Sequence, residues 1–412
     1  MKISLNKIIR AMSIALDLAE ISYMEYTDVV EKTSNINYSD HKFLHHSKRT
    51  AYIALKLANY LNLEEAVVKE LYISSLLHDI GAISSLYKSH TSDSFIKEHC
   101  STGSMILSDF PIFSNMSHII LYHHENWDGS GPMKLKGSSI PIESQLIRIS
   151  DLLEVVYEEK LSSFKQKQNI INWVSINSGT LFSPEMVDAF LNVAEKDIFW
   201  FDIENMYYID FVLDNISPNI DTYVGLKEFQ HIAYIFANII DKKSKFTARH
   251  SREISELSYK VSKHIGYDEE KCLKMKIAGL LHDLGKLAIP SDILDKEGPL
   301  SNEEFSIIKS HSYYTKIILD KIEDIRDISA WASNHHEKLN GNGYPRSLCS
   351  NEICEESRIM GVCDIYQALT EDRPYRKGLS QDRAFSILEG MIDDGLVCKD
   401  AVSYLKGAIH CT

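Results

Sequence analysis

One pattern of histidine and aspartate occurs twice in this 412-residue chain. Each copy contains a lone His, a His-Asp pair, a second lone His, a His-His pair and a distal Asp. The step from the lone His to the His-Asp pair is 32 residues in both, from His46 to His78 and from His250 to His282. Equal spacing over such a distance predicts two copies of one domain. The first copy is His46, His78, Asp79, His99, His123, His124 and Asp151, and the second is His250, His282, Asp283, His311, His335, His336 and Asp364.

Imidazoles and carboxylates that converge from several helices are typical ligands of two or more transition metals, and such sites hydrolyse phosphate esters. The short carboxylate of Asp283 could bridge two ions while the adjacent His282 binds one. His335 and His336 point in different directions and could serve different ions. Ordinary packing is the alternative for any single histidine, but it does not explain two matching sets.

Lys286 lies four residues after His282, and therefore on the same face of a helix. From there its ammonium group could reach a scissile phosphate and stabilise the charge that develops on it. This position predicts a catalytic lysine beside the second set of ligands.

Apolar residues around both patterns recur at three- and four-residue steps, which is the period of an amphipathic helix. Nine Pro and 18 Gly are few for this length, and no segment alternates convincingly as a strand does. The predicted fold class is therefore all-α. The predicted domains are residues 1–192 and 225–412, joined by an aromatic-rich linker at 193–224 whose rings pack between the two domains.

Composition restricts the partners and the location of the chain. The net charge of −14 argues against a DNA or RNA polymer as partner, because proteins that bind one are normally basic. No apolar run approaches the length of a membrane span, and the first segment is predicted to be a helix and not a signal peptide. Seven cysteines without a C-x-x-C pair favour a reducing cytoplasm. We expect a cytoplasmic protein that does not enter a membrane; its aromatic linker and exposed helices would suit a homodimer.

The second copy also contains the motifs HDLGK, HHEKLNGNGYP and RPYR. With them, residues 225–412 resemble the HD-GYP family of bacterial cyclic-dinucleotide phosphodiesterases. The resemblance implies two tandem helical domains of the HD superfamily, metal ligands at all seven positions of the second copy, and catalytic roles for Asp283 and Lys286. It further implies substrate contacts at Lys286, Gly343, Tyr344, Arg373 and Arg376.

The second copy departs from the family pattern at three positions. Some members carry a Glu four residues before the first His and assemble three metals, but Phe246 stands there in this chain. The resemblance therefore implies two divalent transition-metal ions, with iron, manganese or a similar metal suited to these ligands. Asn340 and Lys338 replace an Asp and an Arg that are usual near the GYP glycines.

The first copy keeps its seven candidate ligands and has lost the other motif residues. Ala82 stands at the lysine position, the loop DGSGP has no tyrosine, and no RPYR follows Asp151. The segment between the His-Asp pair and the next His is also shorter, 21 residues against 29. The half at 1–192 is thus a degenerate HD-GYP-like domain. It could be structural with bound metal, could sense a nucleotide or a metal, could be a second catalyst, or could keep its histidines as packing without metal.

The resemblance implies an enzyme that opens a 3′,5′-cyclic dinucleotide to a linear 5′-phosphorylated dinucleotide, by attack of a hydroxide that bridges the metals. A degenerate half ahead of an intact one is similar to the Vibrio phosphodiesterases that act on 3′3′-cGAMP, so we favour that substrate, with cyclic di-GMP next. Two alternatives stay open. One is another nucleotide phosphohydrolase of the HD superfamily, and the other is a cyclic-dinucleotide receptor in which the N-terminal half only binds.

Overall fold

Helices carry nearly all regular structure in the computed structural model, which describes residues 1–22, 30–31, 36–37, 45–84, 93–113, 115–243, 250–372 and 377–410. Among the described helices, none has the length and apolar character that crossing a bilayer requires. The α-helices in chain order are α1 (Leu5–Ile21), α2 (His46–Tyr60), α3 (Glu65–Leu77), α4 (Asp93–Ser108), α5 (Met116–Leu121), α6 (Ile142–Val156), α7 (Ser163–Ile176), α8 (Pro184–Ala194), α9 (Asp197–Glu204), α10 (Ile209–Ile216), α11 (Leu226–Lys243), α12 (His250–His264), α13 (Glu269–Leu281), α14 (Ser291–Leu294), α15 (Asn302–Leu319), α16 (Arg326–Ser333), α17 (Glu355–Thr370), α18 (Gln381–Asp393) and α19 (Lys399–His410). Short 3-10 helices lie at His78–Ser84, Gly137–Ser139, Met206–Tyr208, Leu284–Ala288 and Glu323–Ile325.

Strands are minor within the described part of the chain. They have two residues each and are β1 (Ile3–Ser4), β2 (Val30–Glu31), β3 (Ile36–Asn37) and β4 (Tyr223–Val224). β1 pairs antiparallel with β4, with Ile3 opposite Val224, and β2 pairs antiparallel with β3. Such short pairs do not form a sheet core, so the all-α prediction is confirmed.

The chain packs as two compact units. The N-terminal unit comprises residues 12–221, and the C-terminal unit comprises residues 222–412 together with residues 1–11. In the N-terminal unit α2 packs against α3, α6 and α8, and in the C-terminal unit α12 packs against α13 and α17. The functional division at 1–192, 193–224 and 225–412 stays a prediction.

The same buried hydrogen bonds fix the start of α2 and of α12, the helices that begin with the first His of each copy. Asp17 Oδ1 accepts from the backbone N–H of Ser47 at 3.1 Å and from its hydroxyl at 2.6 Å. Asp241 Oδ1 accepts from the N–H of Ser251 at 3.3 Å and from its hydroxyl at 2.7 Å. Each aspartate thus satisfies backbone and side-chain donors in the first turn of the helix, as a capping residue does.

The glycine two residues after each His-Asp pair lets the chain approach a neighbouring helix closely. A Cβ atom on Gly285 would collide with the carbonyl oxygen of His311 and lie 2.6 Å from the N atom of Thr315. A Cβ on Gly81 would likewise collide with the carbonyl oxygen of His99. Backbone cannot give way there, so glycine lets each His-Asp pair lie against the helix that carries the next ligand.

Part of the aromatic segment packs inside the N-terminal unit. Phe199 stacks on Tyr52 with ring centroids 5.9 Å apart, and Trp200 meets Phe190 edge-on at 6.5 Å. Phe199 and Trp200 were predicted to pack between the domains, and that prediction is wrong for these two rings because α9 packs against α7 and α8 of the same unit. Four other aromatic side chains of the segment are exposed, namely Phe201, Tyr207, Tyr208 and Phe211.

Candidate metal centre

The helices of the C-terminal unit bring all seven predicted ligands of the second copy together. Ligand atoms of His250, His282 and Asp283 lie within 4.8 Å of one another, and so do those of His311, His335 and His336. Six of the seven side chains are buried, and His336 is half-buried. His250 begins α12, His282 and Asp283 follow the last residue of α13, His311 lies in α15, His335 and His336 follow α16, and Asp364 lies in α17.

Two carboxylates link the imidazoles of this cluster. Asp283 Oδ2 lies 3.2 Å from His282 Nε2, and its Oδ1 lies 3.5 Å from His311 Nε2. Asp364 Oδ1 lies 3.3 Å from His250 Nε2, and its Oδ2 lies 3.8 Å from His336 Nδ1. Asp283 therefore faces both groups of histidines, which is the position that a bridging carboxylate needs.

Backbone carbonyl groups fix the tautomer of three of these histidines. The Nδ1–H of His282 donates to the oxygen of Gly279 at 2.8 Å, and that of His311 donates to Ile308 at 2.6 Å. His335 donates in the same way to the carbonyl oxygen three residues earlier, at 2.6 Å. A carbonyl oxygen can only accept, so the proton lies on Nδ1 and the Nε2 lone pair faces the cluster.

The cluster contains buried polar atoms that no protein group satisfies. His282 Nε2, His335 Nε2 and Asp283 Oδ1 are buried without a hydrogen-bond partner. Leaving such atoms unpaired costs about 1–3 kcal/mol each. Two imidazole lone pairs and a carboxylate oxygen in that state fit a divalent cation, which binds all three atom types. The residues present therefore fit metal ions.

Burial keeps two of these histidines neutral, and neighbouring charge keeps Asp283 ionised, which are the forms that bind metal. Burial lowers the pKa of His311 to about 3 and that of His336 to about 4, so both are neutral near pH 7, as ligands must be. Burial alone would raise the pKa of Asp283, but His282 and Lys286 outweigh it and hold that pKa well below its ordinary value. The carboxylate is therefore ionised.

Lys286 lies at the edge of the cluster. Its Nζ is 2.5 Å from Asp283 Oδ2, and it is partly exposed. The ammonium pairs here with the carboxylate that faces both groups of histidines. Its predicted contact with a phosphate stays a prediction.

The GYP loop lies beside the same histidines. The ring of Tyr344 lies 4.7 Å from that of His336, centroid to centroid. A Cβ on Gly343 would lie 2.5 Å from the Cα of Glu337, so glycine is required for the loop to fold this closely. Glu337 fastens the loop by accepting from the backbone N–H of Arg346 at 2.8 Å. Two further predicted substrate contacts lie outside the described residues: Arg373 and Arg376.

A cavity of about 260 Å³ opens next to His335, His336 and Tyr344. Its wall includes Arg358 of α17. The guanidinium donates to the carbonyl oxygen of Ile353 at 2.9 Å and to that of Ser350. Arg358 thus holds the chain that leads into α17.

The seven predicted ligands of the first copy also converge. Asp79 Oδ2 lies 2.9 Å from His78 Nε2 and 3.2 Å from His46 Nε2, and Asp79 Oδ1 lies 3.3 Å from His99 Nε2. Asp79 also groups with His123 and His124 within 4.8 Å. Ala82 is buried at the lysine position, so this cluster has no ammonium group there.

Sequence reasoning missed two charged residues of the N-terminal cluster. Arg148 is buried, and its Nη1 lies 3.0 Å from His124 Nδ1. Glu154 is fully buried, and its Oε2 lies 2.6 Å from His46 Nδ1. Both lie on α6, three residues before and three after Asp151, which places them on one helical face. That spacing was the available signal.

The fold and its sites match a known family. The HD domain family matches residues 33–172 and 234–396, which together are more than half of the chain. The chain belongs to the HD domain family. Because two separate stretches match, the prediction of tandem HD domains is confirmed.

Two relatives from Vibrio cholerae match along much of the chain. The 3′3′-cGAMP-specific phosphodiesterase 1 is 30% identical over 369 residues, which cover 85% of this chain and 84% of the relative. The 3′3′-cGAMP-specific phosphodiesterase 3 is 28% identical over 71% of this chain and 63% of the relative. A cyclic di-GMP phosphodiesterase of Thermotoga maritima is 32% identical over 40% of this chain and 46% of that protein. The predicted resemblance is thereby confirmed.

A solved structure has the same fold over the whole length. The crystal structure of a cyclic GMP-AMP-specific phosphodiesterase from V. cholerae aligns with a TM-score of 0.69 and covers 100% of this chain and 99% of its own. Identity in that alignment is 21%. The match supports the helical fold with two domains.

Proposed function

We propose that this chain is a metal-dependent phosphodiesterase that opens a 3′,5′-cyclic dinucleotide to a linear 5′-phosphorylated dinucleotide. The observation that carries the proposal is the C-terminal cluster, in which carbonyl groups turn Nε2 lone pairs toward a shared carboxylate beside Lys286 and Tyr344. The Vibrio relatives support 3′3′-cGAMP as the favoured substrate, with cyclic di-GMP next.

The catalytic centre would hold two divalent ions, with iron or manganese suited to its ligands. When bound, the ions would supply the Lewis acidity that activates water and offsets charge on the phosphate. Asp283 would face both ions, as it faces both histidine groups now. The remaining ligands would be His250, His282 and Asp364 for one ion and His311, His335 and His336 for the other.

The residues around the cluster would bind and orient the substrate. Lys286 is near enough to Asp283 to exchange that carboxylate for a phosphoryl oxygen, where its charge would favour the transition state. Tyr344 forms a wall over His336, and Gly343 lets the loop reach that place. Arg373 and Arg376 are further proposed contacts, because guanidinium groups bind phosphate through two parallel donors.

One experiment tests the proposal directly. The purified chain is incubated with 3′3′-cGAMP, cyclic di-GMP and cyclic di-AMP, each with Mn²⁺ or Fe²⁺, and the products are separated by chromatography. We expect a linear dinucleotide from 3′3′-cGAMP above all. His282→Ala with Asp283→Ala should abolish turnover, whereas His78→Ala with Asp79→Ala should leave at least part of it. Absence of turnover with every substrate would refute the proposed enzymatic activity. Loss of turnover with His78→Ala and Asp79→Ala, but not with His282→Ala and Asp283→Ala, would show that the N-terminal unit is the catalytic one.

Two points of location and assembly belong to the proposal. A cytoplasmic site of action is supported by the described cysteines, which are all free, namely Cys100, Cys272, Cys349, Cys354, Cys363 and Cys398. A homodimer is the proposed assembly. Sedimentation equilibrium would show a dimer mass if it is correct and a monomer mass at all concentrations if it is not.

A further inference from the structure

The first half of the N-terminal cluster directs several acceptor atoms at one point. The Nδ1–H of His78 donates to the carbonyl oxygen of Ser75 at 2.9 Å, and His46 Nδ1 lies 2.6 Å from a carboxylate oxygen of Glu154, to which it donates. The Nε2 atoms of the two rings lie 3.2 Å apart and face Asp79 Oδ2 at 2.9 and 3.2 Å. Buried acceptors that face each other repel unless a proton or a metal cation lies among them.

A third carboxyl group lies next to Asp79. Glu20 is buried and within hydrogen-bonding reach of Asp79. Its Oε2 is buried without a hydrogen-bond partner. Asp151 Oδ1 lies 3.5 Å from the same Nε2 atom of His46 that faces Asp79. Carboxylate oxygens packed at such distances in a buried site are typical of a cation site.

The second half of the cluster is different because Arg148 holds His124. The Nη1 of Arg148 lies 3.0 Å from His124 Nδ1, and guanidinium groups only donate hydrogen bonds. Nδ1 of His124 must therefore accept, which puts the proton of the neutral ring on Nε2 and leaves no lone pair for a metal. Asn126 Oδ1 accepts from both the Nε and the Nη2 of Arg148 at 3.2 Å and keeps the guanidinium in place.

The C-terminal unit has no room for such an arginine. Asp364 corresponds to Asp151, so the position one turn earlier is Gly361 in place of Arg148. A Cβ on Gly361 would lie 2.6 Å from the carbonyl oxygen of His335. His336, the counterpart of His124, instead directs Nδ1 toward Asp364 at 3.8 Å. The two units thus differ in whether the second histidine of the His-His pair can ligate.

We propose that the N-terminal unit holds a single metal ion, at His46, His78, Asp79 and Asp151, and that the guanidinium of Arg148 takes the place of the second. The ion keeps α2, α6 and the end of α3 together. The fixed positive charge of Arg148 removes His124 as a ligand and repels a second ion from the remaining group of Asp79, His99 and His123. This assignment holds whether or not the C-terminal unit is catalytic.

Metal counting tests the assignment. A chain carrying His282→Ala, Asp283→Ala and His311→Ala loses the C-terminal centre, and circular dichroism checks that it folds. Titration with Mn²⁺, followed by electron paramagnetic resonance, should give about one bound ion per chain with an isolated-ion spectrum. Adding His124→Ala should leave that ion, whereas adding His78→Ala should remove it. Two ions, a spin-coupled pair, no ion, or loss of the ion with His124→Ala would each overturn the proposal.

A second measurement does not depend on the triple variant. In the otherwise unchanged full-length chain, His78→Ala with Asp79→Ala should lower the metal content by about one ion, as counted by plasma mass spectrometry. His124→Ala should not lower it. A loss of two ions, an unchanged count for the double variant, or a loss with His124→Ala would contradict the assignment.

Discussion

The ammonium of Lys286 lies 2.5 Å from Oδ2 of Asp283, the carboxylate that faces both histidine groups of the C-terminal unit. The lysine therefore has two partners within its reach, the carboxylate now and a phosphate in the proposed reaction. The N-terminal unit has Ala82 at this position and therefore has no ammonium group there that could bind either partner. The two units thus share one pattern of ligands but differ in whether an ammonium group lies beside it.

Lys286→Gln is expected to lower kcat for 3′3′-cGAMP by ~10²–10³, because a donor aimed at developing charge typically contributes that much. Its metal content should stay that of the unchanged chain, because lysine is not a ligand. Turnover assays and metal analysis of the same sample measure both. Lys296→Gln, which removes an exposed ion pair with Glu304, is the matched control and should retain activity. Loss of metal with Lys286→Gln would instead assign the lysine a role in building the site.

Tyr344→Ala is expected to lower kcat/KM by about 3–10-fold, since an aromatic contact contributes ~0.5–1.5 kcal/mol. The physical reason is the ring of Tyr344 lying 4.7 Å from that of His336. Tyr344→Phe keeps the ring and should keep most of the activity in steady-state assays. If the phenylalanine variant loses as much as the alanine variant, the hydroxyl group and not the ring carries the role.

Gly285→Ala is expected to lower the free energy of unfolding by about 1–3 kcal/mol, which is the usual cost of inserting a methyl group into a packed interior. The added Cβ would meet the backbone of His311 and Thr315 and displace the adjacent His-Asp pair, so activity should fall as well. Urea unfolding measures the stability. Gly390→Ala in α18 is the control, because nothing lies near its Cβ, and it should raise stability by up to about 1 kcal/mol. Equal effects of the two changes would contradict the packing argument.

Asp17 is expected to make the N-terminal unit less stable as pH rises. Burial raises the pKa of Asp17 from its ordinary value of 3.8 to about 6. Between these values the native state keeps a proton that the unfolded chain has lost, so the stability falls with rising pH by about 3 kcal/mol in total. Asp17→Asn removes this contribution while its amide oxygen can still accept from Ser47.

Urea unfolding of both chains between pH 4 and 7 measures this effect. The asparagine variant should gain stability relative to the unchanged chain as pH rises through 4 to 6. If the free energies of unfolding of the two chains change with pH by the same amount over this interval, Asp17 ionises normally in the folded protein.

The fold class and both clusters were predictable because their signals are local or periodic. Helices follow from apolar residues at three- and four-residue steps, and the duplicated spacing identifies His282 and Asp283 together with their counterparts. Adjacent residues in a motif must also be adjacent in space. The family resemblance then added the expected substrate contacts, such as Lys286 and Tyr344.

The loss of the lysine and of the tyrosine in the first copy was visible in the sequence, but the contacts that distinguish the two clusters were not, because they depend on which residues meet across helices. Nothing in the order of residues says that Arg148 reaches the Nδ1 of His124. The pairing of Lys286 with Asp283 was also missed, because a lysine side chain reaches several partners from one position. The packing of Phe199 inside one unit depended on how tightly α9 turns, which composition does not encode.

The hydrogen bonds of Asp17 to Ser47 and of Asp241 to Ser251 have nearly the same lengths in the two units. The copies have diverged in their lysine, tyrosine and arginine, yet they anchor the first ligand helix in the same way. Architecture and chemistry are thus encoded by separate residues in this duplication. A duplicated domain of this kind can lose the residues of one reaction and acquire another role while the residues that stabilise its fold stay in place.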